Sequence, residues 1–247
     1  MVDSSVLKGA DLFRGIDPTA LDAIFQAGQI RRVPKRTRIF SQGAPSKACH
    51  LLIAGRTKIV QTGPDGEQVL IHFVGPGEMY GIAALFLGAG HPADAFAITE
   101  CMDLRWSAET MTGLMMRYPC IALNAINIIA NRYHEAQHRL REMAHQPVER
   151  RIAHAVLRLV RNAGRRVGHH VEIEIPLLRQ DVAELTGTSM FTVSRVLKDW
   201  EARGIVDASR RRIVVRQLQA LTAIAEKASD LKSRPRPRID EPVGRLQ

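Results

Sequence analysis

The chain has 247 residues, a formal charge of +10 and an apolar share of 45%. That is enough for two modest domains with their own cores, and no apolar run approaches the ~20 residues that cross a bilayer. The opening MVDSSVLKGADLF has no basic segment followed by an apolar core, which argues against a secretory signal. Three widely separated cysteines, Cys49, Cys101 and Cys120, give no disulfide framework and suit the reducing cytoplasm. The charge is uneven. Residues 146–247 hold 20 basic and 12 acidic side chains, net +8, and residues 1–145 the other 15 and 13, net +2. Such a basic C-terminal part fits a polyanionic partner, and equally a basic protein with no nucleic-acid role.

In chain order, residues 4–28 read as short helices, with Pro18 near the start of one. From about 30 to 107 the chain reads as short strands cut by glycines, and Pro64-Asp65-Gly66 signals a tight turn between RTKIVQT and QVLIHFV. Many short strands at regular spacing predict a small barrel or sandwich. A long helix follows over 119–144. Within it Ala122, Ile126, Ile129, Tyr133, Ala136, Leu140 and Met143 recur at alternating spacings of 4 and 3, the seam of a helix that pairs with another. The stripe can also pack on its own domain. The polar flanks (Asn131, Arg132, Glu135, Arg139, Arg141, Glu142) favour the dimer seam.

Gln146-Pro147 ends that helix. Then come a helix over 147–163, a turn at Gly164, a strand VEIEI, two helices near 179–186 and 189–201, a hairpin GIVDASRRRIVV and a last helix near 216–228. The tail DLKSRPRPRIDEPVGRLQ is proline-rich and polar, a disordered composition. Domain boundaries are therefore expected at 1–118, 119–145, 146–228 and 229–247.

The stretch LTGTSMFTVSRVLKDWE has helix-turn-helix spacing. Gly187 can take the left-handed backbone of a sharp turn, and Ser189 can cap the second helix. Val193, Val196, Leu197 and Trp200 define its inner face, against which Val182 and Leu185 can pack. Met190 or Phe191, Ser194, Arg195 and Lys198 are left on the outer face, the side a major groove receives. Arg195 suits a bidentate pair with guanine. Met190 and Phe191 either lie against thymine methyl groups or fold back on the domain, while Thr188, Ser189 and Thr192 contact phosphate. Arg210, Arg211 and Arg212 at the hairpin tip form a basic wing.

A glycine-punctuated β-roll, a long dimer helix and a winged helix carrying RQDVAELTGTSMFTVSRVLKDWEARGIV resemble the CRP/FNR superfamily of transcription regulators. The wording GTSMFTVSRVLKDWE is closest to the NnrR-like branch, which responds to nitric oxide in denitrification. The resemblance covers roughly residues 10–225, including GAPSKACHLLIAGRTKIVQTGPDGEQVLIHFVGPGEMYG and VERRIAHAVLRL. It implies an α+β fold: an N-terminal β-roll like cyclic-nucleotide-binding domains, a dimerisation helix and a C-terminal winged helix-turn-helix. It also implies a homodimer on two-fold symmetric DNA that contacts RNA polymerase, with Arg179 and Gln180 on phosphate and Arg195 reading guanine.

The chain departs from that pattern in its sensor. Ile82 stands where cyclic-AMP-binding members carry Glu, and no arginine lies between Arg56 and Arg105. A cyclic phosphate would then lack its counter-charge, which argues against cyclic AMP. Three cysteines, none before Cys49, argue against a [4Fe–4S] cluster. They read as small apolar residues, or as one redox-sensitive thiol, for which Cys120 is the candidate. Some neighbouring branches use haem, which makes His91, His134 and His138 candidate effector ligands; the alternative is three solvated or hydrogen-bonded histidines. Two other function classes remain: an effector module whose winged helix docks protein, and an enzyme. No nucleophile–base pair, P-loop, metal-ligand run or dinucleotide fingerprint supports the enzyme.

Overall fold

The computed structural model describes residues 2–88, 90–209 and 211–226. The expected tail, the end of the last helix and Arg210 lie outside the described residues.

The N-terminal region opens with 3₁₀ turns at Ser4–Leu7 and Asp11–Phe13, then helix α1, Pro18–Gln26, capped by Asp17. Its strands are β1 (Gln29–Val33), β2 (Arg38–Phe40), β3 (Ala48–Ala54), β4 (Thr57–Thr62), β5 (Gln68–Val74) and β6 (Met79–Tyr80). A short helix α2, Ala84–Leu87, leads to β7 (Asp94–Ala97) and β8 (Cys101–Ser107). The expected tight turn joins β4 to β5, where Gly66 N donates to Gly63 O at 3.1 Å. The eight strands form two antiparallel four-stranded sheets, ordered β1-β8-β3-β6 and β2-β7-β4-β5. Leu52, Ile59, Val74, Ala95 and Cys101 fill the space between them. This is the expected roll; its strand β3 is buried on both faces, Leu52 in the core between the sheets and Cys49 and Leu51 against the N-terminal helices.

Helix α3, Ala108–Arg117, precedes the long helix α4, Pro119–His145. Gln146 in extended geometry before Pro147 ends α4. No single described helix is long and apolar enough to cross a membrane.

The C-terminal region contains α5 (Val148–Ala163), β9 (Gly164–Val167), β10 (His170–Ile173), α6 (Arg179–Thr186), α7 (Met190–Ala202), β11 (Val206–Ser209), β12 (Arg212–Val215) and α8 (Leu218–Glu226). Its sheet runs β11-β12-β10-β9. Strand β9 corrects the expected turn at Gly164: GRRV is a polar edge strand without alternation, held by its ladder to β10. The core of this region is continuous with the roll, since Val60, Leu70 and Phe73 of β4 and β5 join Ile152, Leu185 and Trp200. Lys58 of β4 lies 3.4 Å from the buried carboxylate of Asp181 on α6, and Arg158 of α5 grips Glu142 of α4 at 2.8 Å.

Candidate nucleic-acid interface and effector cavity

The reading head is built around one turn. α6 stops where Gly187 takes φ 58°, a left-handed conformation that an L side chain resists. Ser189 Oγ then accepts from Thr192 N at 3.1 Å and caps α7. Val193, Leu197 and Trp200 are fully buried beneath α7, with Val182 and Leu185 of α6 in the same core. Trp200 Nε1 donates to Glu149 Oε1 at 3.0 Å and ties α7 to α5.

The opposite stripe of α7 points outward. Phe191 is 80% exposed and Met190 43%, so Phe191 does not fold back on the head. Arg195 and Lys198 continue the stripe, exposed, and among the described residues neither makes an ion pair. Ser194, Thr192 and Thr188 are half-buried beside it, and Thr192 Oγ1 lies 3.0 Å from Ser189 Oγ. Gln180 is exposed and donates to Glu184 at 3.1 Å. Arg179 fastens α6 to the wing by donating to Ala208 O at 3.2 Å.

The wing differs from its expected form. Arg211 is exposed in the turn, but Arg212 is the first residue of β12, and its Nε lies 2.6 Å from Glu172 Oε1 on β10. Arg212 is held by a neighbouring strand that the hairpin sequence alone does not reveal.

Helix α4 has two faces. On one, Ile126, Tyr133 and Leu140 are 62%, 65% and 69% exposed, and Ala136 and Met143 are exposed beside them. Ala122 and Ile129 on this stripe are half-buried. On the other face, Ile121 and Ala125 are buried, and Arg132 and Arg139 turn inward below them. Both arginines were expected on polar flanks. Instead Arg132 Nη2 donates to Met79 O at 2.6 Å, and Arg139 Nη1 to Ile71 O.

These arginines line a cavity of about 660 Å³ between the roll and α4. Its α4 wall runs from Ile128 to Met143, and Leu185 of α6 closes one part of it. Burial lowers the pKa of both guanidinium groups, and among the described residues no carboxylate lies within ion-pair distance of either. His72 Nε2 and Arg139 Nε are buried on this wall without a hydrogen-bond partner in the described residues. Burial, then the nearby Arg132 and Arg139, pushes the His72 imidazole well below its ordinary value, so it is neutral at pH 7.

His91 is buried on the same wall, stacked on Phe40 with ring centroids 3.9 Å apart. Phe40 in turn lies beside Tyr80, whose hydroxyl donates to the buried Asp103 at 2.7 Å. Arg31 donates to the same carboxylate at 2.8 Å, and His50 Nδ1 approaches it to 3.2 Å. Burial works to raise the Asp103 pKa; these three neighbours outweigh it and hold the carboxyl at about 2.

The three expected effector histidines do not converge. His134 and His138 are exposed on α4, contact each other at 3.0 Å, and do not line the cavity that holds His91. His91 and the His134–His138 pair therefore do not meet at one site. Among the described residues no group of three or more His, Cys, Asp and Glu side chains gathers around a point. Burial pushes the Cys49 thiol up to about 12, Cys101 Sγ donates to Arg56 O at 3.2 Å, and Cys120 is half-buried in the first turn of α4.

Residues 30–118 match the family model of the cyclic nucleotide-binding domain, and residues 150–224 that of the Crp-like helix-turn-helix domain. The chain is 30% identical over 219 residues to a cyclic AMP receptor protein of Thermus thermophilus, covering 89% of this chain and 98% of that protein. It is 24% identical over 216 residues to a CRP-like cAMP-activated global transcriptional regulator of Mycobacterium tuberculosis, covering 87% of this chain and 96% of that one. The structure of FixK2 from Bradyrhizobium japonicum superposes with a TM-score of 0.72 at 21% identity, over 82% of this chain and 99% of the other.

Proposed function

This chain belongs to the CRP/FNR family of transcription regulators, and from that premise we propose that it works as a homodimer on two-fold symmetric DNA, switched by a small molecule in the roll. The observation that carries the reading is the open stripe of α7, Phe191, Arg195 and Lys198, presented on a helix whose other face is locked into the core. A helix so mounted can enter a major groove. Arg195 then reads guanine, Phe191 meets a thymine methyl, and Arg179, Gln180, Thr188, Ser189 and Arg211 take backbone phosphates. The exposed stripe Ile126, Tyr133, Leu140 meets its copy on a second chain, placing two heads about one DNA turn apart. RNA polymerase is the partner that the family relationship adds.

The signal is placed in the cavity beside α4. Four of its wall residues support this: Ala136, Leu140 and Met143 belong also to the expected dimer stripe, and Leu185 belongs to the head. A ligand there bears on both elements that set the spacing of the heads. The relatives named for cyclic AMP make a cyclic nucleotide the rival signal. Against it stand Ile82 and the arginine-free stretch from 57 to 104; the cavity's guanidinium groups come from α4 instead. Nitric oxide, the signal of the NnrR-like branch, needs a metal or a reactive thiol, and only Cys120 is a partly accessible cysteine. An absorption spectrum taken before and after adding nitric oxide checks this. No visible band is expected, and a Soret band that shifts with nitric oxide would return the signal to haem.

Mobility-shift titration on symmetric duplexes tests the DNA reading. Arg195→Ala should lose sequence preference, whereas Arg211→Ala should weaken all sites evenly and flatten the salt dependence. An Arg195→Ala protein with full affinity and preference would contradict the placement of α7.

A further inference from the structure

We propose that the cavity between the roll and α4 binds an anionic amphiphile, a long aliphatic body carrying a carboxylate head that pairs with Arg132 and Arg139. This rests on the reading of the cavity as the effector site and names the chemistry of its ligand.

The head group follows from the arginines. They stand seven residues apart on one face of α4, and each spends a single N–H on a backbone carbonyl of the roll, Met79 O or Ile71 O. Neither has a carboxylate within ion-pair distance among the described residues. A desolvated guanidinium is costly until an anion meets it, and its planar fork of N–H groups matches a carboxylate. Glu78 and Glu135 share the wall and, with Glu142, act on the two guanidinium groups, but from beyond ion-pair distance. Glu78 accepts from Gly75 N at 3.3 Å, and burial raises its pKa towards the neutral form. Glu135 is exposed. Next to the arginines, the buried Nε2 of His72 and Nε of Arg139 are polar atoms without a partner in the described residues.

The body follows from the shape. The α4 wall from Ile128 to Met143 covers about 22 Å at the helical rise. It faces Ile59, Val69, Leu70 and Phe73 of the roll and Leu185 of the head, so the surface along this length is mainly apolar, interrupted by Gln61, Asn131 and Glu135. The volume, about 660 Å³, lies within the range of small-molecule sites. A second copy's helix on the exposed stripe would close the open side at Ala136 and Leu140, but it needs no buried cation and does not account for the arginines.

Myristate is a suitable probe, with myristyl alcohol as its uncharged counterpart and cyclic AMP as a compact anion. Calorimetric titration of the full chain should show saturable myristate binding. The alcohol should bind roughly tenfold or more weakly, the range for hydrogen bonds to a charged group. Arg132→Met and Arg139→Met should each lose affinity by a similar factor, and Arg139→Lys should recover part of it. Circular dichroism on each variant confirms that it is folded. If neither methionine variant folds, the lysine variant and the alcohol comparison still decide. Equal binding of acid and alcohol, no binding of either, or binding of cyclic AMP without myristate would overturn the proposal. Mobility shift of a DNA duplex on the same preparations separates the two readings. Intact DNA binding without myristate binding sinks the ligand alone, and myristate binding without DNA binding sinks the regulator reading.

Discussion

Arginine does two different jobs in this molecule. On α7, Arg195 is exposed and makes no ion pair among the described residues, so water solvates it. On α4, Arg132 and Arg139 are sunk against the sheet and tethered to backbone carbonyls. An exposed cation attracts a polyanion over a distance set by salt, and is screened by it. A buried cation sees little salt and discriminates by fit. Under the proposed function the same side chain would serve a long, repetitive ligand on one helix and a small one on the other.

The largest way to break this arrangement is to remove what holds α7 in place. Trp200 is fully buried and bonded to Glu149, so Trp200→Ala should destabilise the chain by about 3–5 kcal/mol and abolish DNA binding. Thermal denaturation followed by circular dichroism reads the loss; an unchanged midpoint would mean the core beneath α7 is wrongly assigned. Next comes Arg195→Ala, expected to cost about 1–3 kcal/mol of discrimination at one base position per half-site. Competition between duplexes differing at that position measures it.

Acid should weaken the sensor's buried network by about 2 kcal/mol through Asp103, and the sign is fixed by its low pKa. The carboxyl titrates at about 2 when folded and near 3.8 when free, so this stability is complete above 3.8 and is lost as pH falls towards 2. His72 and His50 add to the same trend earlier. Burial lowers both below the ordinary 6.5, so their contribution is present above 6.5 and declines as the solution is acidified below it. A melting temperature that rose on going from pH 7 to pH 4 would contradict the histidine assignments, and one that rose from pH 4 to pH 2 the Asp103 assignment. The smallest expected effect sharpens the comparison directly. Raising salt from 50 to 200 mM should weaken DNA binding steeply while changing ligand affinity in the cavity by less than roughly twofold.

The two regions also differ in how far the sequence discloses them. Gly187, Ser189 and the Val193–Trp200 spacing are local signals: a turn, a cap and a 3–4 repeat lie within a few residues of one another, and the structure builds the head from them. The exposed stripe from Ile126 to Met143 is legible for the same reason, since apolar spacing along one helix needs no distant partner. Arg132 and Arg139 are not legible. The carbonyls that draw them inward lie 53 and 68 residues away on the roll, and a polar face at helical spacing otherwise reads as solvated. A second 4-3-4 repeat, Ile121, Ala125, Ile128, Arg132, was the available sign that this face also packs. Arg212 and β9 fail alike, because cross-strand partners on β10 decide them.

The most direct test of the account is selection of bound duplexes from a random pool, with the native chain and Arg195→Ala in parallel. The account predicts that the native chain enriches a two-fold symmetric motif with half-sites about one turn apart, and that Arg195→Ala keeps the symmetry but loses preference at one position in each half-site. An identical motif from both proteins, or no motif from the native chain, would contradict it.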